Sequence, residues 1–278
     1  MSINKLKLKN TLIMVITVIF SLIVVLIALN LRSFDVKYIS HRGYSNYAPE
    51  NTLTAFKQSH KMGYKYVECD VEFTLDGVPV LIHDSTVDRT SNAKTGENIR
   101  EITFEKARSY DFGYPDKFGD EFKGEKIPSF SEFISLCVEL DLHPYIEIKS
   151  QGGKYAYTTE NVKTLVDIVN QYGLLDNVTW ISFNYDILQK IKIIDKTARL
   201  GYLKNKITPE VINDTLLLKT GENEVFLSVN FGYLSNSKVR LCKKAGIPLE
   251  VWTVNSKVIL KQLDAYVSGV TTDVILPN

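Results

Sequence analysis

Three carboxylates stand in predicted strands in a pattern that suits a divalent cation. Glu68 and Asp70 are two residues apart, so their side chains share one face of a strand while Cys69 points to the other. Glu147 lies in a later run of the same kind. Carboxylates gathered at one place repel each other unless a cation lies between them. Because oxygen-only ligands suit Ca²⁺ or Mg²⁺ rather than zinc, we expect one such ion at these three residues, the alternative being separate surface ion pairs.

Histidines and basic residues stand at other strand ends. His41 is followed by Arg42, His83 ends an extended run, and Lys149 follows the strand that carries Glu147. An imidazole can serve as general base or general acid near neutral pH. Arginine can grip a phosphate through two parallel hydrogen bonds, and both basic groups supply fixed positive charge. Together with a divalent cation, this set predicts attack at phosphorus, with His41 and His83 as the proton-transfer groups.

A helix start lies between the first two strands. Asn51 and Thr52 are capping residues that lead into an amphipathic helix. The helix start does not explain the acidic Glu50. We expect Glu50 to orient Arg42 or a histidine.

The elements that must position these residues are short strands that alternate with amphipathic helices. One such helix shows Val162, Leu165, Val166 and Val169 at three-four spacing. The alternation indicates a parallel sheet, and eight units in this length match an α/β fold of the (β/α)₈ TIM barrel type. A doubly wound open sheet is the alternative, but no Gly-x-Gly-x-x-Gly follows the first strand. The predicted strands are Val36–His41, Tyr66–Val71, Pro144–Ile148, Val178–Ser182, Ala198–Leu203, Val225–Val229, Leu249–Val254 and Gly269–Thr272.

One segment interrupts the alternation. Asp76-Gly77 between two extended runs is a hairpin signal. With these two residues as the turn, Asp70 faces His83, so the second strand folds back and delivers His83 to the mouth of the barrel. Residues 85–127 then contain polar material with one helical piece, and we expect them to form a small insertion above the mouth.

The N-terminal part has a different composition. Residues 1–9 carry three lysines, and residues 10–31 carry no charge. About 20 apolar residues suffice to cross a bilayer as a helix. The flanking lysines predict a cytoplasmic tip at residues 1–9, a single transmembrane helix at 10–31 and an extracellular catalytic domain at 36–278, at the cell membrane. One alternative is a cleaved signal peptide, although the apolar run is long and its cleavage site poor. The other is a buried helix of a soluble domain, although an all-round apolar helix of this length is uncommon at the terminus of a small domain.

Composition excludes several other classes of protein. The hydrophobic fraction of 45% excludes a disordered chain, and a net charge of only +1 argues against a nucleic-acid partner. The three cysteines lie in separate segments, which predicts buried free thiols, one long-range disulfide being the alternative.

The order of the motifs resembles the glycerophosphodiester phosphodiesterase family. The resemblance runs from Val36 nearly to the C-terminus. It rests on His41-Arg42-Gly43, Pro49-Glu50-Asn51-Thr52, Glu68-x-Asp70-Val71, His83-Asp84, Glu147-x-Lys149, Trp252-Thr253-Val254-Asn255 and Thr272-Asp273. The resemblance implies a (β/α)₈ barrel whose acid–base pair is His41 and His83, with Ca²⁺ or Mg²⁺ held by Glu68, Asp70 and Glu147. It further implies phosphate contacts from Arg42 and Lys149, a pocket lined by Trp252, and Glu50 in contact with the substrate or just behind it.

The same resemblance implies hydrolysis of glycerophosphodiesters to glycerol 3-phosphate and an alcohol, through a cyclic glycerol phosphate. The expected partners are a small-molecule glycerophosphodiester or a lipid head group, and the membrane through the N-terminal helix. One alternative substrate class is lysophospholipid or a glycerophosphate polymer at the membrane surface. An alternative of another class is a catalytically silent barrel that binds a surface polymer, against which the intact residue set speaks.

Overall fold

The structure, a computed structural model, describes residues 13–21, 36–149, 152–263 and 265–277. The chain divides into two units, residues 1–35 and 36–278. Residues 13–21 are helical, and the hydroxyls of Thr17 and Ser21 donate to carbonyls four residues earlier. The other parts of the predicted membrane helix and the predicted tip at 1–9 lie outside the described residues. Within the described ranges, no helix combines the length and the apolar character that a membrane crossing requires.

Residues 36–278 contain the predicted barrel of eight parallel strands. The first strand pairs with both the second and the last, which closes the sheet and makes the open, doubly wound alternative wrong. Nearly every residue of these strands is buried, as a parallel sheet covered by helices requires. The strands are β1 Lys37–Ser40, β2 Tyr66–Phe73, β4 His143–Ile148, β5 Thr179–Ser182, β6 Arg199–Lys204, β7 Val225–Asn230, β8 Leu249–Trp252 and β9 Val267–Thr272, and β3 Pro79–Leu81 pairs antiparallel with β2.

Helices connect the strands and cover the sheet. Each of the longer ones buries an apolar stripe, and the predicted stripe of Val162, Leu165, Val166 and Val169 is buried. A capping box of Ser129 and Glu132 starts one helix at Phe130. The helices are α1 Leu53–Lys61, α2 Phe104–Ser109, α3 Pro115–Phe118, α4 Phe130–Glu139, α5 Thr159–Gln171, α6 Tyr185–Ile194, α7 Pro209–Leu218, α8 Asn236–Ala245 and α9 Lys257–Gln262.

The hairpin after β2 forms, but its register differs from the prediction by one residue. Val71 pairs with Leu81, and Ile82 N donates to the Asp70 carbonyl, so Ile82 rather than His83 lies opposite Asp70. The loop has three residues instead of two, closed by hydrogen bonds between Thr74 and Val78, with Gly77 at a φ of 78°. Three-residue hairpins place glycine in this left-handed conformation. The prediction of a two-residue turn was therefore wrong.

The residues between β3 and α4 fill the predicted place of the insertion. They pack around an apolar cluster that includes Val87, Ile99, Phe112 and Ile127. The sequence predicts one helical piece over Glu101–Ser109, and the structure has α2 at Phe104–Ser109 with a 3₁₀ turn over Ile99–Glu101 before it.

Apolar and aromatic side chains fill the barrel below its mouth. Ile39, Tyr145, Ile181, Leu203 and Phe226 form one buried cluster. Gly201 on β6 makes room for it, since a Cβ at this position would lie 2.3 Å from the Phe226 ring. All three cysteines are buried and free, which confirms the predicted thiols.

Candidate active site at the barrel mouth

The three predicted metal ligands converge. β2 carries Glu68 and Asp70, and β4 carries Glu147, which pairs in register with Asp70. One oxygen atom from each carboxylate lies within 4.8 Å of the other two. All three side chains are buried, so their mutual repulsion is weakly screened.

The charges and the free oxygens of this cluster suit a divalent cation. Burial, followed by the charges of Asp70 and Glu147, raises the pKa of Glu68 well above its ordinary value, and burial and Asp70 raise that of Glu147. Burial acts the same way on Asp70, but Arg42 and Lys149 hold its pKa below the ordinary value. Glu68 Oε1 is buried without a hydrogen-bond partner in the described part of the chain, and so is Asp70 Oδ1, which lies 3.5 Å from Lys149 Nζ. Carboxylate oxygens with unused lone pairs are the donors that Ca²⁺ and Mg²⁺ take, so the residues present fit a divalent cation.

The other oxygens of Glu68 and Asp70 are held in place by Arg42 and Asn51. Arg42 N donates to Glu68 Oε2 at 2.9 Å, and Arg42 Nε lies 3.2 Å from Asp70 Oδ2. Asn51 Nδ2 donates to the same Asp70 oxygen at 2.8 Å, and Asn51 Oδ1 accepts from Asp70 N at 3.1 Å. Arg42 and Asn51 have φ values of 57° and 58°, a left-handed conformation that non-glycine residues rarely adopt.

His41 is oriented by Asp273. His41 Nδ1 lies 2.7 Å from Asp273 Oδ1, and Asn255 Nδ2 donates to the other carboxylate oxygen at 2.6 Å. Burial raises the pKa of Asp273, but its hydrogen bonds with His41, Asn255 and Ser45 outweigh that effect and lower it to about 2. An ionised Asp273 can only accept a hydrogen bond, so His41 Nδ1–H donates to it, which leaves Nε2 of this imidazole available for chemistry.

His83 is oriented by a carboxylate as well. His83 Nδ1 lies 2.7 Å from Asp84 Oδ1, and Arg89 Nε donates to Asp84 Oδ2 at 2.5 Å. The hydrogen bond with His83 has the largest effect on Asp84. Together with the contacts of Arg89, it holds the pKa of Asp84 below its ordinary value. Arg89 also donates to both oxygens of Glu50 at 2.8 Å, and Glu50 Oε1 accepts from Arg42 Nη1 at 2.8 Å. Arg89 therefore connects Asp84, which contacts His83, to Glu50, which contacts Arg42.

A cavity of about 190 Å³ opens between these groups. Its charged side contains His41, Arg42, Glu68, His83 and Lys149, and its apolar side contains Ile181, Phe183, Leu203 and Trp252. The rings of Phe183 and Trp252 meet edge to face, with their centroids 5.5 Å apart. The cavity thus offers a place for a charged group beside a place for carbon atoms.

Residues 41–276 match the model of the Glycerophosphoryl diester phosphodiesterase family. The chain belongs to this family. It is 34% identical over 237 residues to the glycerophosphodiester phosphodiesterase of Caldanaerobacter subterraneus subsp. tengcongensis, a match that covers 84% of this chain and 93% of that protein. The motif-based prediction of the family is confirmed.

Solved structures share the barrel. An Oleispira antarctica phosphodiesterase in complex with the product sn-glycerol-3-phosphate has a TM-score of 0.77 at 26% identity, covering 85% of this chain and 92% of that one. The glycerophosphodiester phosphodiesterase of Thermotoga maritima has a TM-score of 0.65 at 26% identity, covering 86% and 94%. Enzymes of this family hydrolyse glycerophosphodiesters, and this phosphodiesterase has an acidic cluster that can hold a metal.

Seven of the nine predicted site residues of the phosphodiesterase line one cavity, and Asp70 and Glu50 do not. Asp70 is fully buried beside the lining residues, and Glu50 accepts from Arg42 and Arg89 at Oε1 and from Arg89 at Oε2. Burial raises the pKa of Glu50, but these arginines outweigh it and lower the pKa. Its position suits orientation of Arg42, and a direct contact with substrate stays a prediction.

Sequence reasoning missed several supporting residues of the phosphodiesterase. From the sequence, Asn51 indicates only a helix cap, and no pattern singles out Arg89. Asp84 and Asp273 belong to the quoted motifs, but the motifs alone give them no function. The position of Asp84 directly after His83 could have indicated a carboxylate that orients this histidine. Asp84 is only five residues from Arg89, but the contact with Glu50 crosses from the insertion to another segment, and nothing near Arg89 in the sequence indicates it.

Proposed function

We propose that the chain hydrolyses glycerophosphodiesters to glycerol 3-phosphate and an alcohol, with the help of a divalent cation and by acid–base catalysis of His41 and His83. The observation that carries this proposal is the cluster of three buried carboxylates, in which Glu68 Oε1 and Asp70 Oδ1 have no hydrogen-bond partner among the described residues, beside two histidines that are each oriented by their own carboxylate. The glycerol 3-phosphate in the Oleispira antarctica structure supports the identity of the product.

The fixed charges position the substrate. Arg42 and Lys149 lie on the charged side of the cavity, where they can bind phosphate oxygens. Burial lowers the pKa of Lys149, but Asp70 and Glu147 outweigh that effect and raise it, so the group stays cationic. When bound, a divalent cation neutralises phosphate charge and lowers the pKa of the neighbouring glycerol hydroxyl. Trp252 and the apolar wall contact the carbon atoms of the glycerol.

The two histidines move the protons. One imidazole takes the proton of a glycerol hydroxyl, whose oxygen then forms the new bond to phosphorus. The other, as imidazolium, gives its proton to the alcohol oxygen as the ester bond to phosphorus breaks. The product of this step is a cyclic glycerol phosphate. Water opens the ring with the two histidines in exchanged roles and yields glycerol 3-phosphate.

Substitution of the histidines tests this proposal. His41→Gln and His83→Gln should each lower kcat for glycerophosphocholine by at least about 100-fold, the usual contribution of one acid–base group. His60→Gln is a matched control, because His60 lies on the exposed side of α1. Full activity in either site variant contradicts the assignment, and binding without turnover in the unaltered chain supports the silent barrel instead.

The membrane location is a separate proposal. It is supported by the uncharged residues 10–31 after three lysines. Protease treatment of intact cells should degrade residues 36–278 if this part is extracellular. Protection of that part in intact cells, with degradation after lysis, contradicts the proposal.

A further inference from the structure

A second cavity adjoins the catalytic one. This groove has a volume of about 490 Å³, and it shares Glu147, Lys149 and Phe183 with the catalytic cavity. It continues over the carboxyl ends of β5 and β6, where Tyr185, Tyr202 and Lys204 line it. A phosphodiester has two ester arms. With its phosphorus at the shared residues, one arm can occupy the catalytic cavity and the other has room in the groove.

The groove carries an excess of positive charge. Its charged lining residues are Glu147, Lys149 and Lys204, and Glu147 Oε1 already accepts from Lys149 Nζ at 2.8 Å. Lys204 Nζ lies 4.3 Å from the Tyr202 ring centroid and 3.4 Å from the Phe183 carbonyl oxygen. No carboxylate of the described residues lies within 4.0 Å of Lys204. Within the described ranges, Lys204 therefore makes no ion pair. A further acid, Asp214, acts on a residue of this lining, since burial and then the charge of Asp214 raise the pKa of Tyr185.

A nearby acid does not change this balance. Asp186, in the first turn of α6, pairs with Lys190 on the same helix. Lys149 follows β4 and Lys204 ends β6, two strands away, which separates their backbones by about 10 Å. The positive charge of Lys149 thus lies at the phosphate position, and that of Lys204 lies farther along the groove.

We propose that this groove binds the leaving alcohol and favours an alcohol that carries its own phosphate group, with Lys204 as the specificity residue. The inference rests on the proposed function, because it assigns the second arm of the same phosphodiester. The positive charge of Lys204 attracts the additional phosphate, and the hydroxyls of Tyr185 and Tyr202 offer hydrogen bonds beside it. An alcohol without that phosphate fills the groove and makes no ion pair.

Two substrates that differ in one phosphate test the inference. Glycerophosphoglycerol releases glycerol, and glycerophosphoglycerol phosphate releases glycerol phosphate. The full chain with saturating Mg²⁺ should show a higher kcat/KM for the second substrate, by about fivefold for one partly exposed ion pair. Lys204→Gln should remove this preference, and Lys204→Arg should keep it. The matched control Lys206→Gln should keep it too, because Lys206 lies over the Tyr233 ring and outside the groove.

Salt provides a measurement that needs no variant. The preference should decline as the ionic strength rises from 0.02 to 0.5 M, because salt screens a partly exposed ion pair. An equal kcat/KM for both substrates, or a preference that Lys204→Gln leaves unchanged, overturns the inference while the proposed function stands. Failure to hydrolyse either substrate in the unaltered chain overturns the proposed function itself.

Discussion

Replacing Arg89 by methionine removes the side chain that connects the two orienting carboxylates of the site. Arg89 donates to Asp84 at 2.5 and 3.2 Å and to Glu50 twice at 2.8 Å. Asp84 orients His83, and Glu50 orients Arg42. The substitution therefore leaves both carboxylates without their shared cation, although it touches none of the reacting groups.

The structure sets the size of the effect. Hydrogen bonds to charged groups contribute about 1.5–3 kcal/mol each when buried. The Arg89 side chain is 37% exposed, so solvent screening reduces the expected loss in the free energy of unfolding to about 1–2 kcal/mol in total. Activity should suffer more, since a displacement of about 1 Å in a catalytic group costs about 100-fold. We expect kcat for glycerophosphocholine to fall by about 10- to 100-fold.

The assay compares kcat and KM with thermal unfolding for three variants. Arg89→Lys keeps the charge but lacks the planar fork, and it should lie between the unaltered chain and Arg89→Met. Arg108→Met is the matched control, because Arg108 is 39% exposed, pairs with Glu132 at 2.9 Å and does not line the cavity. A kcat for Arg89→Met equal to that of the control would refute the reasoning.

Three further predictions concern the cation, the pH and the barrel interior. Asn51→Ala should weaken Ca²⁺ or Mg²⁺ binding by about 10- to 100-fold in calorimetry, because Asn51 orients Asp70; unchanged affinity would speak against that role. Burial lowers the pKa of His143 to about 4, whereas the unfolded chain has the ordinary value of about 6.5. The neutral ring therefore adds up to about 3 kcal/mol to the free energy of unfolding above pH 6.5, and this contribution is lost as the pH falls from 6.5 through 4. His143→Gln should flatten that pH dependence in urea unfolding, and an unchanged profile would count against it. Gly201→Ala should cost about 1–3 kcal/mol of unfolding free energy through its clash with Phe226, whereas Gly221→Ala, with nothing within 4 Å, serves as control; equal stabilities would contradict the clash.

The barrel could be predicted because its signals are local. Runs such as Val225–Val229 are almost wholly apolar, and the helices between the strands repeat their apolar residues at helical spacing. The hairpin register could not be predicted, because the Thr74 side chain closes a three-residue loop. A turn of two or three residues is consistent with the same Asp-Gly pair, and the difference of one residue changes what faces Asp70.

The reacting residues could be predicted for a similar reason. Glu68 and Asp70 share a face by strand alternation, and barrel strands present their carboxyl ends at one mouth. Asn51 and Arg89 reach the site from a helix start and from the insertion, so their contacts depend on how distant segments pack. Sequence spacing contains no information about those contacts.

The most direct test of the account is the release of glycerol 3-phosphate from glycerophosphocholine by the full chain, first with chelator and then with added Mg²⁺ or Ca²⁺. We expect no release under chelation, recovery on addition of one of these ions, and no recovery in Glu68→Gln, since Glu68 offers a partnerless oxygen to the ion. Turnover that persists in chelator, or a Glu68→Gln variant as active as the unaltered chain, would contradict the account.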